Sequence, residues 1–248
     1  MKAMVLAAGL GTRLRPLTDN RPKALVKVGG RTLLEITLSR LREFGIGKVI
    51  INMHHFSRAI LDYLQSNHNF GMKIEISLED VLLDTGGGLK KAGWFFLQDA
   101  AHREEPFLLH NVDVISTIDF GAVLQQHEES GTLATLAVQK RETSRYLLFD
   151  GESLLCGRRI VKEHRDEMVR AAFRVDALAF TGIHVISPRM LTMMKEQGAF
   201  SIIDLYLRLA GERERIRGFR ADGYYWRDLG KLEQVQQAEQ DYKSGLFS

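Results

Sequence analysis

The chain has 248 residues, a length that suits one large α/β domain or two small ones and that buries a core without staples. Its 34 cations and 31 anions are spread along the sequence, so the net charge of +3 marks neither a nucleic-acid stripe nor a polybasic membrane patch. One cysteine, Cys156, excludes a disulfide within the chain and nearly excludes a Cys-based zinc site. No run approaches the roughly 18 apolar residues of a membrane span, and the apolar start before Gly9 is too short for a signal peptide. The composition predicts a soluble, reducing, cytoplasmic setting.

Residues 2–8 are an apolar run closed by Gly9, the pattern of a buried parallel strand. Residues 9–23 are too long and too charged for a simple turn. The spacing predicts a helix over 31–44: Thr32 with Glu35 makes a capping box, Leu33, Leu34, Leu38 and Leu41 share a face, and Gly45 ends it. A strand is expected over 48–53, a helix over 56–64 and an alternating strand over 72–78. This rhythm predicts an α/β fold, a mostly parallel sheet with helices on both faces.

The segment Asp84-Thr85-Gly86-Gly87-Gly88 precedes a helix that runs to about residue 97. An apolar strand over 106–110 ends in Asn111-Val112-Asp113. Asp119 starts a helix over 119–129, and 132–139 is rich in β-formers. Strands over 145–149 and 153–157 flank Asp150-Gly151, a strong hairpin signal. The charged stretch 158–170 reads as surface strand and loop. An apolar run over 177–186 ends at Ser187-Pro188. A helix over 202–209, short strands over 215–219 and 224–227, and a polar closing helix over 231–242 complete the chain. No repeat or linker divides it, so residues 1–248 are expected to form one domain whose second half adds an antiparallel lobe.

Several stretches carry candidate chemistry. A backbone turn after a strand aims successive N–H groups at one spot and binds phosphate oxygens, and glycines let the phosphates approach. Gly9-Leu10-Gly11-Thr12-Arg13-Leu14 begins like the dinucleotide fingerprint but has Leu14 where the last glycine belongs, and no P-loop pattern occurs in this loop. Hydride carriers and P-loop NTPases are therefore disfavoured, which leaves a cation-bearing phosphate loop or an ordinary turn with solvated arginines. Asp113 stands just past a strand end, where it could hold Mg²⁺ or cap a turn. Asp228 makes the same offer after Tyr224-Tyr225-Trp226-Arg227. The glycines at 86–88 suit a flat ring lying on the backbone, or a tight turn. His54 and His55, after the second strand, could contact a substrate, though a lone His is more often structural, and no Ser/His/Asp order or His/Cys spacing points to a hydrolase or a zinc site.

Taken together, Leu6-Ala7-Ala8-Gly9-x-Gly11-Thr12-Arg13-Leu14-x-Pro16-Leu17-Thr18 and Pro22-Lys23-x-Leu25 resemble the signature of the sugar-1-phosphate nucleotidyltransferases, the nucleotide-sugar pyrophosphorylases. Asp84–Gly88 resembles that family's base-side glycine segment, Asn111-Val112-Asp113 its metal Asp segment, Phe180-Thr181-Gly182-Ile183 its sugar-side strand, and Trp226-Arg227-Asp228-Leu229-Gly230 its second metal Asp. These come in the family's order and cover about residues 1–235.

The resemblance implies a Rossmann-like, GT-A-like sheet with a nucleotide half over about 1–115 and a sugar half over about 116–248. It implies that Ala8, Gly9, Gly11 and Thr12 shape the nucleotide loop, Arg13 clamps the triphosphate and Lys23 neutralises charge at the reacting phosphates. Thr85 and Gly86 would face the base, Asp113 and Asp228 would hold Mg²⁺, and Gly182 would lie against the sugar. The expected partners are an NTP and a sugar 1-phosphate, with no nucleic acid and no membrane; a homo-oligomer stays open. The short length and the three glycines look most similar to uridylyl- and guanylyl-transferring short branches, with a lean to UTP.

Three positions depart from the family pattern: Ala24 follows Lys23, Lys231 follows Gly230, and Val161-Lys162-Glu163 inverts the usual Val-Glu-Lys, so no sugar-side Lys is assigned. The longer members' C-terminal β-helix is expected to be absent. A glycosyltransferase with an Asp-x-Asp metal motif is disfavoured because Asn111 replaces the first carboxylate. A non-catalytic nucleotide sensor is the remaining alternative.

Overall fold

The computed structural model describes residues 1–98 and 104–247. In chain order β1 (Lys2–Leu6) leads through two single-turn 3-10 segments (Thr12–Leu14 and Lys23–Leu25) to the small hairpin β2 (Lys27–Val28) and β3 (Arg31–Thr32). Next come α1 (Leu33–Glu43), β4 (Lys48–Met53), α2 (Ser57–Ser66), β5 (Lys73–Leu78), α3 (Asp84–Ala92) and α4 (Trp94–Leu97). They are followed by β6 (Phe107–Asn111), β7 (Val114–Ser116), α5 (Phe120–Ser130), β8 (Ala134–Gln139), β9 (Arg145–Phe149), β10 (Leu155–Ile160) and β11 (Arg165–Met168). The chain closes with β12 (Asp176–Ile186), α6 (Arg189–Thr192), α7 (Ile202–Gly211), β13 (Ile216–Arg220), β14 (Trp226–Asp228) and α8 (Leu232–Lys243).

The parallel strands β5, β4, β1 and β6 lie side by side in that order. β12 then runs antiparallel to β6, and β8 and the parallel β13 extend the sheet beyond it. The parallel strands read as unbroken apolar runs because both of their faces are covered. Met4, Ile50 and Leu109 face one core with α3, α4 and α7, while Ala3, Val5, Val49, Ile51 and Leu108 face the other with α1, α2 and α5. A third cluster joins Leu14, Leu33, Ile115 and Leu229 to Val235 and Ala238 of α8. The antiparallel lobe is the β9–β10–β11 meander, hung on the first residues of β12. No helix among the described residues is long and apolar enough to cross a membrane.

Local rules account for many element ends. The Thr32 Oγ1 accepts the Glu35 N–H at 3.0 Å, and Gly45 (φ 88°) closes α1 with its N–H on the Arg42 carbonyl. The second half of the expected capping box does not form, because Arg31 and the Tyr63 hydroxyl take the Glu35 carboxylate. A Thr32→Ala variant should lose about 1 kcal/mol, read by urea unfolding; an unchanged midpoint would mean that the hairpin before α1 fixes its start instead. Asp119 caps α5 through the N–H groups of Gly121 and Ala122. The hairpin at Asp150 forms, but as a longer turn: Asp150 Oδ1 accepts from the Glu152 and Leu154 N–H groups, and Ser153 takes the left-handed conformation (φ 61°).

The glycines at 86–88 lie inside the first two turns of α3, not before it. A Cβ on Gly86 would come within 2.3 Å of the Phe200 ring, and one on Gly87 within 2.5 Å of the Gly198 carbonyl. They let segment 198–200 press on the helix.

Candidate active site

Parallel strands deliver their C-terminal ends to one edge of a sheet, where the loops that follow can converge on a ligand. Here the edge opens into a cavity of about 580 Å³ beyond the ends of β1, β4 and β6. Ala8, Gly9, Gly11, Thr12, Arg13 and Lys23 of the first loop line it, with Thr85 and Asp113 around it.

The loop is held open from within. Gly11 adopts φ +67°, and its carbonyl accepts from the Leu14 N–H and from the Thr18 hydroxyl at 2.8 Å. A Cβ there would crowd Thr18 and Lys23, so the left-handed turn and the close approach both require glycine. At its start the Ala7 N–H donates to Asn52 Oδ1 at 2.8 Å. Asn52 Nδ2 donates to Glu79 Oε1 at 2.7 Å, and Glu79 Oε2 accepts the Leu83 N–H at 3.0 Å. Asn52 and Glu79 are only 3 % and 2 % exposed, so this chain of polar groups is a rigid brace that ties the first loop, the end of β4 and the loop between β5 and α3 together at the cavity wall.

Asp113 and Asp228 meet. Asp228 pairs with Val114 across β14 and β7, and the Leu229 N–H donates to the Asp113 carbonyl at 2.8 Å. Asp113 forms an ion pair with Lys23, whose ammonium is nearly buried. Asp228 Oδ1 accepts the Gly230 N–H at 2.7 Å. Burial and then the Asp113 charge push the Asp228 carboxyl above its usual value, while Lys23, the Gly230 N–H and Arg13 pull it back. Two hard carboxylates, close enough to repel and facing a phosphate-sized cavity, are the donor set that suits Mg²⁺, which takes one or two carboxylates and leaves the rest of its shell to water and phosphate. Among the described residues no cluster of three or more His, Cys, Asp or Glu side chains is placed to hold a metal.

Residues 2–245 match a sequence family described as nucleotidyl transferase. The chain belongs to that family. It is 33 % identical over 248 residues to N-acetylmuramate alpha-1-phosphate uridylyltransferase of Caulobacter vibrioides, covering 96 % of this chain and 95 % of the relative. It is 26 % identical over 250 residues to the mannose-1-phosphate guanylyltransferase catalytic subunit beta of Dictyostelium discoideum, covering 99 % of this chain but 64 % of the relative. A solved structure from Bacillus anthracis described as a glucose-1-phosphate thymidylyltransferase superposes with a TM-score of 0.81 over 100 % of this chain and 97 % of its own, at 18 % identity. That likeness shows a shared fold.

Two of the residues expected from sequence stand back from the cavity. Gly86 is buried against Phe200, and its N–H donates to the Phe200 carbonyl. Gly182, with φ +81°, lies under Asn111: a Cβ would fall 2.7 Å from the Asn111 amide nitrogen. Thr85 does line the cavity, but its hydroxyl accepts the Ile202 N–H. Sequence reading missed Asn52 and Glu79. Their one signal was an amide inside the run Val-Ile-Ile-Asn-Met and a carboxylate just past an alternating strand.

Proposed function

We propose that this chain transfers a nucleotidyl group from an NTP, preferably UTP, to a sugar 1-phosphate and releases pyrophosphate. The observation that carries this reading is the meeting of Asp113 and Asp228 beside Lys23 at the edge of the cavity formed by the first loop. The lean to UTP is supported by two near full-length relatives, both uridylyltransferases, at 33 % and 31 % identity. In this reading the nucleotide lies against the 1–115 half and the sugar against the 116–248 half.

The acceptor phosphate is already an anion, so the transfer needs no general base. Its oxygen forms a bond to the α-phosphorus as the bond to the β-phosphate oxygen breaks, and pyrophosphate carries the charge away. With little bond chemistry left to the protein, catalysis is positioning and charge stabilisation. Gly9 and Gly11 let the triphosphate approach the backbone. Arg13 holds its outer oxygens, and Lys23 neutralises charge at the reacting phosphate. Asp113 and Asp228 would hold Mg²⁺, which supplies further charge neutralisation on the phosphate oxygens when bound.

A pyrophosphate-release screen of four NTPs against a panel of sugar 1-phosphates tests the reading. The expected result is release with UTP at a kcat/KM at least about tenfold above GTP, a gap of about 1.4 kcal/mol. A GTP preference would move the chain to the guanylyl branch. Nucleotide binding without release from any pair would make it a sensor and overturn the proposal.

A further inference from the structure

The first loop supplies cations to one side of the carboxylate pair. A further cation, Arg141, stands near Asp228 on a separate loop. β12 carries a bulge: its ladder to β8 breaks between Phe180 and His184, where Gly182 takes its positive φ. The two backbone carbonyls at this break accept from side chains of other elements. The Phe180 carbonyl accepts Arg141 Nη2 at 2.8 Å, and the Thr181 carbonyl accepts Trp226 Nε1 at 2.8 Å. The Arg141 guanidinium lies 3.7 Å from the centre of the Trp226 ring. It is thus held flat by a stack and one hydrogen bond, the arrangement that fixes an arginine fork before a ligand arrives.

Side chains alternate along a strand, so Trp226 and Asp228 share a face of β14 while Arg227 turns the other way, onto Asp241 and Gln234 of α8. Arg141 therefore lies over the face that carries Asp228, and the Asp228 charge acts on it. Two guanidinium groups lie near that carboxylate. Arg13 crowds Gly230, two residues after it: a Cβ there would fall 2.8 Å from Arg13 Nη2. Arg141 stacks on Trp226, two residues before it. One guanidinium belongs to the first loop, the other to the loop between β8 and β9, held against the β12 bulge.

The donors of Arg141 are not used up. Its Nε is buried with no partner among the described residues, and its Nη1 makes only a 3.5 Å contact with the Glu142 carbonyl. A charged donor left unpaired away from water is costly, and an anion seated beside it removes that cost. Lys162, from the inverted sugar-side motif, is exposed in the short turn between β10 and β11.

We propose that Arg141 binds the phosphate of the sugar 1-phosphate and presents it across Asp228 from the Arg13 loop, taking the place of the missing sugar-side lysine. The inference rests on the nucleotidyl transfer reading above. It places the acceptor phosphate on the side of the carboxylate pair opposite the leaving pyrophosphate, which is where an in-line displacement needs it.

The test is steady-state kinetics of the whole protein, using the NTP and sugar 1-phosphate pair that gives the wild type its highest turnover. Arg141→Gln should raise KM for the sugar 1-phosphate by about 10–100-fold, the loss of one or two charged hydrogen bonds, with KM for the NTP and the thermal midpoint unchanged. Arg141→Lys keeps the stem over Trp226 and a charge but loses the planar fork; it should give a smaller rise in the same constant and remains informative if the Gln variant fails to fold. Unchanged constants in the folded variants would overturn the proposal. So would equal rises for both substrates, which would mark Arg141 as a brace for the bulge. A wild type that releases no pyrophosphate with any pair would overturn the transfer reading and this inference with it. An active wild type with unaffected Arg141 variants would overturn this inference alone.

Discussion

An Asp113→Asn variant is expected to lose about 10²–10³-fold in kcat for nucleotidyl transfer while its thermal midpoint stays near that of the wild type. The amide keeps the shape of the carboxylate, and the Leu229 N–H still finds the Asp113 backbone carbonyl, so β7 and β14 remain joined. What is lost is charge. Lys23 loses its ion-pair partner and is left with Asp228 alone, and one of the two carboxylates suited to a divalent cation becomes a neutral amide. The Asp228 carboxyl should drop back toward its usual value, because the Asp113 charge is one of the two influences that raise it. Lys23→Ala should cut turnover by a similar factor from the opposite side: it leaves Asp113 and Asp228 facing each other without their shared cation. Residues that act as one unit give non-additive losses, so the double variant should be little worse than either single one. Pyrophosphate release measured at saturating substrate checks all three. Near-wild-type turnover in Asp113→Asn would remove the carboxylate pair from the mechanism.

The parts of the fold set by short-range periodicity are legible in the sequence. The strand expected over 48–53 is β4 to the residue, and the Thr32 cap, the Asp119 cap and the Asp150 hairpin form where turn and cap chemistry put them. The site was legible as a set of stretches but not as an arrangement. Asp113 and Asp228 are separated by most of the second half of the chain, and no local pattern in Trp226-Arg227-Asp228 says that its partner is the three-residue strand Val114–Ser116. Gly86 and Gly182 look like ligand-facing glycines in sequence because close approach is what glycine allows; here the approaching groups are Phe200 and Asn111. Asn52, Glu79 and Arg141 could not be singled out, since an amide, a carboxylate and an arginine become informative only when burial and partners are known. The bulge in β12 is likewise invisible in the apolar run from Ala177 to Ile186. It lies where β12 passes from its pairing with β9 at Asp176–Leu178 to its pairing with β6 at Ile183–Ile186, and where its ladder to β8 shifts register between Phe180 and His184.

Stability should fall steeply between pH 6.5 and pH 4, and the cause lies in three buried histidines rather than in the site. His184 is a fully buried residue of β12, with Nδ1 hydrogen-bonded to the Tyr206 hydroxyl at 2.7 Å; burial, then the neighbouring His110, holds its pKa down to about 3. Burial, then the Arg40 charge, lowers His110 to about 4 against the partial support of the Asn111 carbonyl and Asp113. Burial alone lowers His127 to about 4, with Nδ1 beside the Thr135 hydroxyl and Nε2 beside that of Ser187. In the unfolded chain each returns to an ordinary value near 6.5. Below that pH the unfolded chain binds protons that the fold refuses, so the stability these neutral histidines provide is complete above pH 6.5 and is lost as pH falls toward 4. Three groups titrating together give a slope of up to about 4 kcal/mol per pH unit, against a total stability of about 5–15 kcal/mol for a domain. Asp228 works in the opposite sense, since its raised carboxyl takes up a proton earlier in the fold, but it is one group against three. Urea unfolding at pH 7 and pH 5 should show a midpoint that drops sharply at the lower pH. A His127→Asn variant should be less stable at pH 7 yet lose less between the two, because one of the refused protons is gone. Equal midpoints at the two pH values would mean that these histidines are protonated inside the fold.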